Sequence, residues 1–425
     1  MRKIICIVTF SILGFIALGQ EAVVYYFTAS VDDEPIDYSH KVRIRKGLDT
    51  ANVTFKEIFQ FWQSYQNDLM MTGGMPDAKK EVFQKYWADS EIKKYGDPDI
   101  FSSFSPYYYH SEYFFGIEKR SSTLYEIKSF YFLEQDSTEM SIGFSIYADK
   151  TKNGYKLFNK LTFNEELLNK QNYGYIQFYY PATYNFDKKK AKELSVRANK
   201  LANEWDLKNI KPIKYYLCPT YTEILNLFGI DTYASDFIAV DNVEIAGKSI
   251  PNSRQIFYTQ GGEKLLHEII HILIYDMRGS TNTFFFDEGV CCYFGEHQGL
   301  PYNLHAKNLK EFLNKNPQID LGISLIGAYF DDEGKYSHDP KWKKNNQFGE
   351  EQINWYLEKG KTNCMYIIMA TICEIAYKQG RMELVKQMIL EAKDGDKMYD
   401  VIEKRLNIKR EDINVYIRDY LNKNY

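Results

Sequence analysis

Between Ala51 and Tyr65, the apolar residues Phe55, Ile58, Phe59, Trp62 and Tyr65 recur at helical spacing, which predicts an amphipathic helix. A second helix is expected over Ala78–Trp87. From Tyr113 the period changes to two. Aromatic and β-branched residues alternate through Tyr113–Glu118, Leu124–Leu133, Met140–Tyr147 and Tyr155–Thr162, which read as strands. Turn formers at Lys119–Ser122, Gln135–Ser137 and Asp149–Gly154 separate them, so an antiparallel meander with flanking helices is expected.

A new unit starts near Gly174, with a strand at Tyr175–Tyr180 stopped by Pro181, a charged helix over Asp187–Trp205 and a strand at Ile213–Leu217. Arg254–Thr259 reads as another short strand, Gly261 and Gly262 punctuate, and a helix is expected from Glu263. Past Leu313 the pattern is polar and irregular to Phe348, then helical through Trp355, Ile367–Tyr377, Leu384–Ala392, Val401–Leu406 and Ile413–Leu421. The fold class is therefore α+β. Residues 20–173 form a helix-plus-antiparallel-sheet domain, 174–313 a mixed sheet with one conspicuous helix, and 314–425 a mainly helical part.

Composition narrows the setting. Hydrophobic residues make up 44% and charged residues 26% of the 425, the balance of a globular protein. The formal charge of -4 is well mixed along the chain, which leaves no electrostatic footprint for nucleic acid. Arg2 and Lys3 precede the apolar run Ile4–Leu18, and the small residues Ala17 and Gly19 follow, so residues 1–19 read as an export signal. A secreted or periplasmic chain with no stable membrane insertion is the expectation. Cys218, Cys291, Cys292, Cys364 and Cys373 form no disulfide framework, and the adjacent pair Cys291 and Cys292 reads as small buried hydrophobes.

The conspicuous helix carries Leu265-Leu266-His267-Glu268-Ile269-Ile270-His271-Ile272-Leu273-Ile274. Leu266, Ile269, Ile270, Leu273 and Ile274 supply a core-facing stripe that needs neither histidine. His267 and His271 lie four residues apart, with Cβ atoms ~5–6 Å from each other, a span that lets two imidazoles converge on one Zn²⁺. Glu268 is rotated ~100° from His267, placed to act as base toward a water at the metal without being a ligand. A catalytic zinc site needs a third protein ligand. Met277 and Ile274 occupy the places where a third histidine and a glycine would mark the metzincin arrangement. Downstream, Phe285-Phe286-Asp287-Glu288-Gly289 opens a second apolar helix, and turn formers between Arg278 and Asn282 allow it to fold back. Glu288 is thus the candidate ligand, with Asp287 competing.

His267-Glu268-Ile269-Ile270-His271, followed after sixteen intervening residues by Glu288-Gly289 with Phe285 at the aromatic position, resembles the gluzincin clan of zinc metallopeptidases and its MA-like peptidase domains. The resemblance covers Gly174 to the C-terminus. It implies a zincin-like catalytic domain with Zn²⁺ on His267, His271 and Glu288, Glu268 as general base, and peptide or protein as substrate. It also implies an oxyanion donor from the helical tail, for which Tyr366 stands near the expected place. Position 292 departs from the thermolysin-like pattern in being Cys rather than an acid. The strand Arg254–Thr259 would offer an edge for an extended substrate. Two other readings are a zinc hydrolase of a non-protein ligand and a secreted binding protein with an inactive peptidase-like fold. His40, His110, His297, His305 and His338 lack ligand spacing and are expected on the surface or in the core, and Asp331-Asp332-Glu333 is expected as a solvated loop.

Overall fold

In the computed structural model the described residues are 23–27, 40–45, 48, 51–72, 76–99, 111–132, 141–234, 247–259, 261–279, 285–297, 299–315 and 362–425 except 394–396, with short stretches between 317 and 357. The apolar run read as an export signal lies outside them, as do His110, His338, Trp355 and the acid run at 331–333. The chain divides into two compact units, one of residues 1–168 and 220–244, the other of 169–219 and 245–425.

The first unit opens with β1 (Val23–Phe27) and β2 (His40–Ile44), followed by α1 (Val53–Met71), α2 (Pro76–Tyr86) and α3 (Asp89–Tyr95). Asn52 caps α1 by accepting a hydrogen bond from the Phe55 N–H at 3.1 Å. The helix buries Ile58, Trp62, Tyr65 and Leu69, one stripe at helical spacing. The meander follows as β3 (Ser111–Lys119), β4 (Leu124–Phe132), β5 (Ser141–Thr151) and β6 (Gly154–Phe158), each antiparallel to the next. Phe114 and Phe144 on this sheet meet Phe59 and Trp62 of α1, with ring centroids 4.9 and 5.8 Å apart. The sheet extends beyond the meander pattern, because β1 pairs antiparallel to β2 and β2 joins β3 in parallel.

After α4 (Lys160–Asn164) the chain enters the second unit with β7 (Asn169–Tyr173), β8 (Ile176–Tyr180), α5 (Lys188–Glu204) and β9 (Ile213–Leu217). It then returns to the first unit for α6 (Tyr221–Phe228) and β10 (Ile230–Ala234). This excursion differs from the continuous 174–313 segment expected. Its cause is local pairing: β10 adds antiparallel to the free half of β5, and Asn164 Nδ2 donates to the Leu227 carbonyl at 2.9 Å.

The second unit resumes with β11 (Gly247–Ile250) and β12 (Gln255–Tyr258), giving a mixed sheet in the order β11-β12-β9-β8-β7. The strand expected to offer a free edge, β12, has none. It is paired antiparallel to β11 and parallel to β9, so on this side β11 is the outermost strand among the described residues. Helices α7 (His267–Arg278), α8 (Phe285–Gly295), α9 (Tyr302–Lys315), α10 (Cys364–Glu391), α11 (Lys397–Leu406) and α12 (Ile413–Asn424) complete a largely helical C-terminal part. Gly380 and Arg381 leave helical geometry and break α10 in two. Tyr356 and Leu357 are extended and pair with Thr362 and Asn363, so helix does not continue past Trp355. One core joins the sheet to these helices, with Phe178, Tyr215 and Ile256 from the strands and Ile269, Ile270 and Leu273 from α7. Among the described residues no helix is long and apolar enough to cross a membrane.

Candidate metal centre

The helix expected from Glu263 begins at His267 instead. Glu263 is buried and already engaged, accepting from Tyr184 Oη at 2.6 Å and from the Asp187 N–H at 3.1 Å, while Tyr215 Oη donates to the Gly262 carbonyl. These bonds hold residues 262–264 as a 3₁₀ turn and delay the α-helix by one turn. The delay has a chemical effect. His267 and Glu268 fall in the first turn of α7, where the helix dipole favours the negative charge of Glu268. The buried side of α7 also takes in Ile272, which the stripe pattern had left out.

His267 and His271 lie one turn apart, their rings edge to face with centroids 5.1 Å from each other. Glu288, in the first turn of α8, reaches both with different oxygens: Oε2 lies 3.4 Å from His267 Nε2 and Oε1 lies 3.5 Å from His271 Nε2. Burial opposes ionisation of Glu288, but His271 and His267 outweigh it and hold its carboxyl well below the usual carboxylate range. The three side chains therefore converge. Glu268 is half-buried on the same side, and all four line a cleft of about 360 Å³ together with Gly247, Lys248, Ser249, Pro251, His297 and Tyr366.

Two glycines explain why α8 can come so close. A Cβ on Gly289 would sit 2.4 Å from the main-chain carbon of Met369 in α10, and one on Gly295 would sit 2.8 Å from the Cα of His267. Only a bare backbone fits at either contact. The glycine after Glu288 is thus a packing requirement, which seats the helix that carries the carboxylate. Asp287, the competitor to Glu288, turns the other way: Arg278 donates to its two oxygens at 2.7 and 2.6 Å.

His267 Nδ1 donates to the main-chain carbonyl of Glu296 at 3.2 Å, which orients the ring so that Nε2 faces Glu288. Glu296 stands at φ 72°, in the left-handed region, as the chain leaves α8, and Arg197 binds its carboxylate at 3.2 Å. Sequence spacing gives no signal for a main-chain acceptor, so this partner was invisible there.

Other donors surround the pair. His267, His271 and Cys291 form one set, and His267, Cys292 and His297 another, each with its potential ligand atoms within 4.8 Å of one another. Both cysteines are fully buried and neither lines the cleft, whereas Glu288 does. Burial pushes the Cys291 thiol up to about 12. His267, His271 and Glu288 all line the cleft, whereas each of the other two sets includes a cysteine that does not.

His297 corrects an expectation. Placed on the surface or in the core by its lack of spacing, it lines the cleft instead, with its ring centroid 5.5 Å from that of His267 and 5.8 Å from that of Tyr366. Burial, with His267 and His305 adding to it, lowers His297 to about 3, so its ring is neutral and offers one N–H donor. His305 is a buried core residue whose Nε2 donates to the His297 carbonyl at 3.0 Å. Tyr366, in the first turn of α10, reaches the cleft as well. Cys218, Cys291, Cys292 and Cys373 are free thiols, all buried. No protein-family model matches the chain and no curated protein matches it, so the reading of this centre rests on its own residues and their geometry.

Proposed function

We propose that the chain is an exported zinc-dependent peptidase of gluzincin type, hydrolysing peptide bonds at the cleft between α7, α8 and β11. The observation that carries this reading is the meeting of His267, His271 and Glu288, through Nε2, Nε2 and two carboxylate oxygens, beside Glu268. Two imidazoles and one carboxylate suit Zn²⁺, and the Glu296 carbonyl supplies the outer partner that such a histidine normally has. A bound zinc ion would supply the Lewis acid that activates water and polarises the substrate carbonyl.

The chain's own residues supply the rest. Glu268 accepts the proton of the attacking water and passes it to the leaving amine. His297 and Tyr366 present an N–H and an O–H to the carbonyl oxygen as it gains charge. The role of substrate edge passes from β12 to β11, whose Gly247, Lys248 and Ser249 line the cleft and can pair main chain to main chain with an extended peptide.

The test is zinc stoichiometry of the purified chain together with cleavage of a peptide library, with and without a chelator. Wild type is expected to hold one zinc per chain and to lose cleavage with the metal. Glu268→Gln is expected to keep the zinc and lose about 10²–10⁴-fold in turnover. A chain that takes up no zinc, or a Glu268→Gln variant that cleaves as fast as wild type, would refute the reading.

A further inference from the structure

Glu288 and its neighbour Asp287 are both carboxylates in the first turn of α8, yet they face different partners. Successive residues of a helix are ~100° apart, so fixing the direction of one fixes the direction of the other. Arg278, the last residue of α7, holds Asp287 by a two-pronged fork, with Nη1 to Oδ2 at 2.7 Å and Nη2 to Oδ1 at 2.6 Å. Nη2 also donates to the Ile389 carbonyl of α10 at 2.8 Å. Asp287 is 2% exposed, and the Arg278 side chain is 10% exposed. One guanidinium therefore joins the end of the helix bearing both histidines, the start of the helix bearing Glu288, and α10.

We propose that the Arg278–Asp287 fork is the positioning device that sets the rotation of α8 and so aims Glu288 at His267 and His271. The proposal rests on the reading of these three residues as a metal centre. Its physical content is directional. A guanidinium gripping both oxygens of a carboxylate restricts the relative orientation of the two groups, whereas a point charge restricts only their distance. Gly289 lets α8 approach α10, and the fork adds a directional tie to that close contact. The opposite charges also suit the helix ends on which they stand, cation at the C-terminus of α7 and anion at the N-terminus of α8.

Asp287→Asn and Arg278→Lys in the full chain test this. Zinc affinity would be measured by chelator competition, coordination geometry by the visible spectrum of the Co²⁺-substituted protein, and folding by circular dichroism of the metal-free chain. Asp287→Asn is expected to weaken zinc binding about 10–100-fold, the range for residues that support a ligand without touching the metal, and to alter the Co²⁺ spectrum. Arg278→Lys keeps the charge but loses the fork, and a smaller shift in the same direction is expected. Folded variants with wild-type zinc affinity and an unchanged Co²⁺ spectrum would overturn the proposal and reduce the fork to a plain structural tie. If Asp287→Asn does not fold, Arg278→Lys decides by the same two readouts. A wild-type chain that binds no zinc would instead bring down the metal centre itself, which separates the two failures.

Discussion

Glu126 in the first unit and Glu288 in the second are both glutamates with little exposure, their side chains 2% and 18% exposed, but their companions differ. Glu126 is met by permanent cations, the Arg120 guanidinium and the Lys160 ammonium, the latter at 3.1 Å. Glu288 is met by two imidazoles, bases that are neutral when they bind a metal. The first arrangement is complete as it stands and holds a sheet to a helix. The second opens onto a cleft, and under the proposed function its donor atoms would share a metal ion. A buried acid therefore points to chemistry when its partners could share a ligand with it, and to architecture when they are fixed charges.

The sharpest way to break this contrast is to neutralise each acid in turn. Glu288→Gln is expected to weaken zinc binding by more than about 100-fold, since loss of a partner outside the ligand set already reaches that range. Glu126→Gln should leave zinc affinity at the wild-type value. Isothermal titration of both metal-free variants with zinc checks the pair. Equal affinities in the two variants would erase the distinction drawn between them.

Next in size is Gly289→Ala, which tests whether Glu288 depends on close helix packing. The added methyl would meet the Met369 main chain at 2.4 Å, and main chain cannot swing aside as a side chain can. A loss of about 3 kcal/mol in unfolding free energy is expected from this overpacking, read by urea titration of the metal-free chain. The displaced α8 should also lower zinc affinity. Wild-type stability in this variant would mean that α8 and α10 have slack, and that Glu288 owes its place to something else.

These differences also explain what the sequence made legible. The pair His267 and His271 was readable because the i, i+4 spacing is a property of one helix, and β3–β6 because alternation is a property of each strand. Glu288 required only that a short connection fold back. His297, the Glu296 carbonyl and the Arg278–Asp287 fork were not readable, since each depends on where the end of one helix meets another chain segment. The start of α7 was misplaced for a similar reason: the buried bonds to Glu263 and Gly262 outweigh the local helical pattern. The edge strand was misassigned because β11 has few residues and a glycine, Gly247, whose missing side chain makes room for the Tyr258 ring.

The smallest effect sharpens the architectural half of the contrast. Burial disfavours ionised Glu126, but the hydrogen bonds from Arg120 and Lys160 outweigh it and hold its carboxyl below the ordinary glutamate value. A lowered folded value means that the unfolded chain takes up the proton first as acid is added. The contribution of Glu126 to stability is therefore fully present above the unfolded value and is lost as pH falls through the folded one. Glu126→Gln, which keeps a hydrogen bond to Arg120 but no charge, is expected to cost about 1 kcal/mol at neutral pH. That gap to wild type should narrow as pH drops through this window, measured by paired urea midpoints at each pH. A gap that stays constant into acid would show that the charge of Glu126 contributes nothing, and that its site is held by shape and hydrogen bonding alone.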